Sequence, residues 1–587
     1  MSEQQQQGNN KPLSAVEGVK IASNYLRGNI RRDLDDPTKS HFDESEIQLI
    51  KHHGIYQQDD RDQRSERRKQ KLDKAWMFMV RTRMPGGVIT PEAYLILDDL
   101  CERRGNESLR VTTRQGFQFH GIGKENLGGL IEELNRAYIT TLAACGDVCR
   151  NVMSHPLSDI APDSPCNLMP LAERISRHLL PRTTAYFDVW LNGEKLEGGH
   201  FGELPEPISP IGLKPGPEPI YGEQYLPRKF KIGIAWAADN HVDLYTQDIG
   251  IEAVPAENGG GFNIIVGGGL GSSHGKKETY PRVGDRMSWV PDEQGVVAIC
   301  EAITKVQRDF GDRTDRKHAR MKYLVAERGV AWFKAEVEKM LGYATEPARP
   351  AIAAGQNYLL GWHRQKQAGM WMVGVRVENG RIRDFASGPR LRSGFQTICR
   401  RFPHLSMRLT AHHNVILANV PEADKPALEA MLAEFGMNEG SSISALRRKE
   451  MACVALPTCG LALAEAERYL PSLISDFEAA GYGDEDISIR MSGCPNSCSR
   501  PPASEIGLIG RAPGKYNIYL GGNREGTRFN WLWRETVKDS ELVSTIGPVI
   551  DRWRQEGKSR GLSFGDWCEA AKESLAPVSE SPNAASE

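Results

Sequence analysis

The sequence predicts an α+β chain built around a duplicated strand–helix–strand–helix module, its two copies related by a pseudo-twofold axis. Three observations predict it. First, WMFMVRTRMPGGVIT (Trp76–Thr90) reads as a buried strand closed by a Pro-Gly-Gly turn, with a helix expected at Pro91–Arg104, two short strands in SLRVTTRQGFQFHGI (Ser108–Ile122) and a helix at Lys124–Ala137. Second, the same order returns downstream: WMVGVRVENGRI (Trp371–Ile382) is a strand and turn, and SMRLTAHHNVILANV (Ser406–Val420) lines up with Ser108–Ile122 at one constant offset. Arg110 falls on Arg408 and Thr112 on Thr410, and a helix is expected at Pro421–Phe435. Third, two cysteine pairs frame one further helix–strand unit, Met451–Arg500.

Bulk properties bound the rest. A chain of 587 residues exceeds one ordinary core, so several modules are expected. A formal net charge of -2 excludes bulk affinity for nucleic acid or anionic membrane. No apolar run is long enough to span a bilayer, and the first residues, MSEQQQQGNN, lack an apolar signal core, so a cytoplasmic protein is expected. There the 11 cysteines read as reduced thiols or metal ligands.

Residues 1–72 are polar and read as an arm, with an ordered island at Ile47–Tyr56. The mixed-sign run Asp59–Lys71 reads as a solvated helical face. Further on, a helix is expected near Leu171–Leu180 and a strand at Thr184–Leu191. The stretch GFNIIVGGGLG (Gly261–Gly271) lacks the third glycine of a dinucleotide fingerprint and the first glycine of a phosphate loop. It suits instead a backbone that comes close to a flat cofactor. The basic run Arg313–Val325 reads as a solvated helix, and the tail after Glu573 as disordered.

The chemistry-bearing residues form two groups. Cys453 and Cys459 are separated by five residues, and Cys494 and Cys498 by three. A helix over Gly460–Phe477, kinked at Pro471, and a strand through Ile487, Ile489 and Met491 would bring the pairs together. Zinc ligand pairs usually leave two to four residues between them, so the wider first gap favours an iron–sulfur cluster, with structural zinc or four unliganded thiols as alternatives. The cations Arg81, Arg110, Arg114, Arg150, Arg228, Lys229 and Lys231 stand at strand ends or turns, as for a polyanionic cofactor or a small oxyanion. A non-catalytic, zinc-stabilised interaction protein is the rival reading from another class.

Several stretches carry a resemblance. ALPTC, LALAEAERYLPSLI, MSGCPNSCSRP and YNIYLGGNREGTR, preceded in order by SNYLRGNI, HHGIYQQDDRDQR, RMPGGVIT, TTRQGFQFHGI, LLPRTTAYFDVWL, YLPRKFK, VGGGLG and RTDRKHARMKY, resemble the sirohaem/[4Fe-4S] nitrite and sulfite reductase family. Within it they are similar to the haemoprotein (beta) subunits of assimilatory sulfite reductases. The resemblance spans nearly the whole chain. It implies duplicated ferredoxin-like modules plus two sirohaem/cluster-binding α+β modules around a pseudo-twofold axis. The modules would be a polar arm at 1–72, a ferredoxin-like module at 73–140 and a sirohaem-binding module with substrate-pocket cations at 141–345. A second ferredoxin-like module would follow at 346–436, a cluster and sirohaem module at 437–573 and a tail at 574–587.

The resemblance further implies that Cys453, Cys459, Cys494 and Cys498 ligate a [4Fe–4S] cluster and that Cys498 also ligates the sirohaem iron. Arg81, Arg150, Lys229 and Lys231 would bind sulfite, and Arg110, Thr112, Thr113, Arg114, Gln118, His120 and Asn151 would hold the sirohaem. The implied activity is six-electron reduction of sulfite to hydrogen sulfide in assimilatory sulfur metabolism and cysteine biosynthesis. No flavin or NADPH motif is visible, so electrons would come from an NADPH flavoprotein subunit, with ferredoxin second. The alternative is a ferredoxin-dependent nitrite reductase of the same family. Two departures stand out. Cys149 precedes the pocket arginine where the family usually has Asn, and AHHN (Ala411–Asn414) replaces a more amide-rich stretch.

Overall fold

The computed structural model describes residues 11–182, 190–191, 194–195, 218–351 and 354–575. The expected strand at Thr184–Leu191 lies largely outside the described residues, as does the tail beyond Leu575. The chain divides into two compact units: one spans Met1–Gly269, Arg282–Ala353 and Leu359–Ser441, and the other Leu270–Pro281, Ala354–Tyr358 and Ser442–Glu587.

In the first unit the predicted duplication is visible as two five-stranded antiparallel sheets. One runs Ile55–Asp59, Trp76–Arg81, Phe117–Ile122, Leu109–Val111 and Arg381–Ile382; the other runs Gly361–Arg364, Met370–Val375, Val415–Pro421, Ser406–Leu409 and Val88–Ile89. Each borrows its last strand from the other module. Arg381 pairs with Arg110, and Val88 pairs with Arg408. The hairpins keep one register: Arg110 faces Gln118 as Arg408 faces Ile416. The loops match too, with Thr112 N–H bonding Gly116 O and Thr410 N–H bonding Asn414 O, both at 2.9 Å. Helix Pro91–Arg104 starts where expected because Thr90 caps it and Pro91 takes the first turn. It packs on Leu391–Arg401 through Tyr94 against Phe395, ring centroids 5.9 Å apart, and through Asp98 paired to Arg392 at 2.9 Å. One apolar core serves both modules.

The same unit holds a third sheet in the order Asp285–Val290, Phe262–Val266, Ile249–Ala253, Ile232–Trp236, Met153–Ser154. The last three strands are mutually parallel and the first two antiparallel. Helix Glu293–Phe310, capped by Asp292, covers it with Val296, Ile299, Ile303 and Val306 at helical spacing. Each such burial is worth about 1.5–3 kcal/mol. Two expectations need correcting. The N-terminal segment contributes an edge strand and buries Glu17, Lys20, Leu26 and Phe42, so it is structural well beyond the island at Ile47–Tyr56. The run Arg313–Val325 is not a solvated helix: helix begins only at Met321, and Arg320 and Lys322 are buried.

The second unit contains one sheet, in the order Met451–Ala452, Ile489–Ser492, Ile506–Ala512, Lys515–Leu520, Trp531–Lys538. Its first three strands are parallel and the last two antiparallel, the order and sense of the third sheet above. The helix expected over Gly460–Phe477 forms only at Leu470–Ala479. Pro471 sits in its first turn, where its missing N–H costs nothing, rather than at a kink.

Candidate functional site

The two cysteine pairs meet at the carboxyl ends of two parallel strands of the second unit. Cys453 follows strand Met451–Ala452, and Cys494 lies just past Ile489–Ser492. The intervening loop is tied down by Leu463 N–H to Gly493 O at 2.7 Å and Glu467 N–H to Cys453 O at 3.0 Å. A Cβ on Gly493 would stand 2.5 Å from Ala464 O and 2.6 Å from Ala455 Cβ, so glycine is required where the two loops cross. Donors already point at sulfur: Gly493 N–H lies 3.4 Å from Cys453 Sγ, and Asn496 Nδ2 lies 3.5 Å from Cys494 Sγ. Burial, then Cys498 and the other thiols, raises the Cys453 pKa, and the same causes push Cys459 up to about 11. Thiols so placed give up their protons only to a cationic centre.

A single zinc ion at about 2.3 Å from each sulfur needs sulfurs roughly 3.8 Å apart. Among the described residues, no three of these sulfurs lie within 4.8 Å of one another. A cubane spreads its thiolates over separate irons and takes the wider cage.

The predicted cations gather in the first unit. Lys231 has its pKa driven well below the ordinary lysine value by burial, then by Lys229, Arg320, Arg114 and Arg150. Burial lowers Arg114 to about 9, with Arg150 and Arg81 adding to the effect. Arg114 donates to Gln247 Oε1 and Ile232 O, both at 2.9 Å. Asp147 and Asp248, the nearby carboxylates, are engaged by Arg316 at 2.6 Å and Arg320 at 2.9 Å. Buried positive charge in such excess is costly unless an anion joins it.

The HHGIY motif explains itself here. His52 Nε2 accepts the Asp147 N–H at 2.9 Å, and its ring fills the space a Cβ on Gly146 would need. Gly146 O in turn accepts from Arg150 Nε at 3.2 Å, and the Tyr56 hydroxyl lies 3.5 Å from Arg150 Nη2.

The expected cofactor residues divide. Arg110, Gln118 and His120 are buried together on one sheet beside Arg81. Among the described residues neither ring nitrogen of His120 has a hydrogen-bond partner, nor does Arg114 Nε. Burial, then Arg381, Arg110 and Arg81, holds His120 well below its ordinary pKa. An orphaned imidazole among arginines fits a ligand with several carboxylates. Thr112 Oγ1 accepts from Arg114 N and shapes the loop through Thr113. Asn151 is different: its amide bonds Met84 N at 2.9 Å, Met84 O at 2.8 Å and Arg114 O at 2.7 Å, so it holds the loop. Cys149 is buried against Arg83, and burial pushes it up to about 11, as for an unreactive thiol.

Sequence reasoning missed Cys145, whose Sγ lies 3.1 Å from Arg81 Nη1, and Lys322, lowered to about 6 by burial and then Arg320. It also missed Arg381, which arrives through strand exchange. The "YQQD" and "RMKY" stretches were the available signals for Tyr56 and Lys322; nothing local signalled Arg381.

A duplicated ferredoxin-like pair, two matching mixed sheets and a wide four-thiol cage define a redox protein of a particular class. The "Nitrite/Sulfite reductase ferredoxin-like half domain" model matches twice, at residues 69–137 and 363–435, and the "Nitrite and sulphite reductase 4Fe-4S domain" model matches residues 213–344. The chain belongs to the nitrite and sulfite reductase family. Over 562 residues it is 43% identical to the "Sulfite reductase [NADPH] hemoprotein beta-component" of Myxococcus xanthus (strain DK1622), covering 95% of this chain and 96% of that one. The identically named protein of Paenibacillus sp. (strain JDR-2) is 44% identical over 563 residues, with 95% of each chain covered. Its fold is similar to that of the Mycobacterium tuberculosis NirA protein, with a TM-score of 0.76 and 24% identity over 97% of this chain and 98% of that one. The 4Fe-4S match falls on the first mixed sheet, whose only cysteine there is the buried Cys300; the four thiols belong to the second sheet of the same topology. Among the described residues no helix is long and apolar enough to cross a membrane.

Proposed function

We propose that the chain is the haemoprotein component of a sulfite reductase, reducing sulfite to hydrogen sulfide with six electrons in assimilatory sulfur metabolism and cysteine biosynthesis. The observation that carries it is the convergence of buried cations around Lys231, which calls for a small, highly charged anion. The names of the relatives favour sulfite over nitrite.

Cys453, Cys459, Cys494 and Cys498 would hold a [4Fe–4S] cluster, with Cys498, the exposed thiol of the four, also ligating the sirohaem iron. Arg110, Thr112, Thr113, Arg114, Gln118 and His120 would receive the sirohaem carboxylates, and Asn151 would brace their loop. When bound, the two groups supply stored electrons and an iron centre for the sulfur atom. The chain supplies charge and protons. Arg150, Lys229 and Lys231, with Arg81 beside Arg114, would cradle the dianion. An amine with a depressed pKa regains its proton when a dianion arrives, so Lys231 would be recharged by binding and could pass that proton to a departing oxygen. Arg81 and Arg150 would stay charged and hold the oxygens.

An NADPH flavoprotein is the proposed electron donor, ferredoxin the alternative, and the cytoplasm the proposed compartment. The test is an absorption spectrum with iron and acid-labile sulfide assays, then viologen-driven rates on sulfite and nitrite. Sirohaem bands and a higher kcat/KM for sulfite are expected; a colourless zinc protein would overturn the reading, and a preference for nitrite would overturn the substrate.

A further inference from the structure

The three parallel strands of the two mixed sheets correspond residue by residue through their registers. Met153 pairs with Gly233 and Gly233 with Gly250; Met451 pairs with Arg490 and Arg490 with Gly507. The connection from the second parallel strand to the third has the same length in both. Its turn is also the same: Asp243 (φ 52°) and Arg500 (φ 61°) each adopt the left-handed conformation before a short 3-10 turn. On this frame His155 occupies the position of Cys453, His241 that of Cys498, and Asp239 that of Asn496.

Those three side chains converge. One potential ligand atom from each of His155, Asp239 and His241 lies within 4.8 Å of the others. His155 and His241 are 1% and 0% exposed, and Asp239 is 9% exposed. His155 Nε2 is 2.9 Å from Asp239 Oδ2. A fourth candidate, His412 of the AHHN stretch, stands edge-on to His241 with ring centroids 4.5 Å apart. None of these groups is among the residues proposed above for the cluster, the sirohaem or sulfite.

The geometry points to a second metal site: a mononuclear centre for a divalent first-row cation of the zinc or cobalt type, held by His155, Asp239 and His241 with His412 alongside. Two imidazoles and a carboxylate are hard-to-borderline donors suited to such ions, whereas thiolates suit the cluster. Among the described residues these three side chains meet a 4.8 Å spacing that the four thiols do not. Leu157 N–H reaches His155 Nδ1 at 3.3 Å and Ala411 N–H reaches His241 Nε2 at 3.2 Å, so His155 carries its proton on Nε2, toward Asp239. That proton is the one the cation displaces, and the Leu157 bond, which is on the other ring nitrogen, stays in place to hold the imidazole.

The experiment is Co2+ uptake by the full chain with its iron and labile sulfide loaded and assayed beforehand. One equivalent of Co2+ retained through gel filtration is expected, with ligand-field absorption and no thiolate charge-transfer band. His155→Ala/His241→Ala should lose that equivalent with iron and sulfide contents unchanged. No retained Co2+ in the unaltered protein overturns the site, as does undiminished uptake by the double variant. A thiolate charge-transfer band would place the ion among cysteines and overturn it too. If the double variant does not fold, the stoichiometry and spectrum of the unaltered protein decide alone. Iron and sulfide contents report on the cluster separately, so failure of this site and failure of the cluster reading are distinguishable.

Discussion

The two mixed sheets share strand order and sense, and their parallel strands share register, yet the residues proposed for chemistry stand at opposite ends. In the first, the predicted anion-binding residues precede the strands: Arg150 comes before Met153–Ser154, and Lys229 and Lys231 before Ile232–Trp236. In the second, the thiols follow the strands, Cys453 after Met451–Ala452 and Cys494 after Ile489–Ser492. The register sets Lys231 against Ser488, and Trp236 against Gly493. One backbone frame thus carries the proposed anion-binding residues in one copy and the proposed cluster thiols in the other. The frame fixes where loops emerge, and the residue types on those loops decide the chemistry.

The comparison breaks most sharply at Cys498, whose counterpart is His241. Cys498→Ser should lose or uncouple the sirohaem and abolish sulfite turnover, read as loss of haem absorption and viologen-driven rate. Retained full turnover would contradict the assignment. Next comes Lys231→Ser, which installs the residue that the second sheet carries at the equivalent position. Removing one preorganised donor from a site of this kind costs about 10²–10³ in kcat. The same loss is expected here at unchanged iron and sulfide content. A change confined to KM would leave Lys231 a binding group without a part in proton delivery.

Much of this was legible in the sequence where local rules decide. Strand alternation, a Thr-Pro helix start and the constant offset between Arg110 and Arg408 are all local or repeat signals, and the register agrees with them. The thiol pairs were legible through spacing. What local rules cannot see is burial from a distant partner. Lys322 sits in a run that looks solvated, yet it is covered and its Nζ reaches Gly269 O at 3.4 Å. Arg381 reaches His120 only because the modules exchange edge strands. The stretch Gly460–Tyr469 has helical spacing, but Leu463 and Ala464 spend their N–H groups on Gly493 O, which holds the cysteine loop instead. His155, Asp239 and His241 are scattered in sequence and meet only through the parallel pairing of Met153–Ser154 with Ile232–Trp236.

Gly493 tests the frame itself with the smallest change. Its counterpart Trp236 is the largest side chain there is, buried at 3% exposure beside the His155 ring, centroids 4.0 Å apart. In the second sheet that volume is taken by the loop carrying Cys459, which crosses directly over the glycine. A single methyl at Gly493 therefore has to push Ala464 O and Ala455 away. Overpacking of this kind costs about 1–3 kcal/mol. Gly493→Ala should lower thermal stability by that amount and reduce cluster content, because the displaced backbone is the one that positions Cys453 and Cys494. Trp236→Phe, which keeps an aromatic ring in the equivalent place, should lose stability through packing alone and leave iron and sulfide contents intact. Equal loss of cluster iron in both variants would mean that the two loops do not serve separate chemistry. Loss confined to Gly493→Ala would show that close backbone approach is what distinguishes the electron-carrying copy of the frame from its partner.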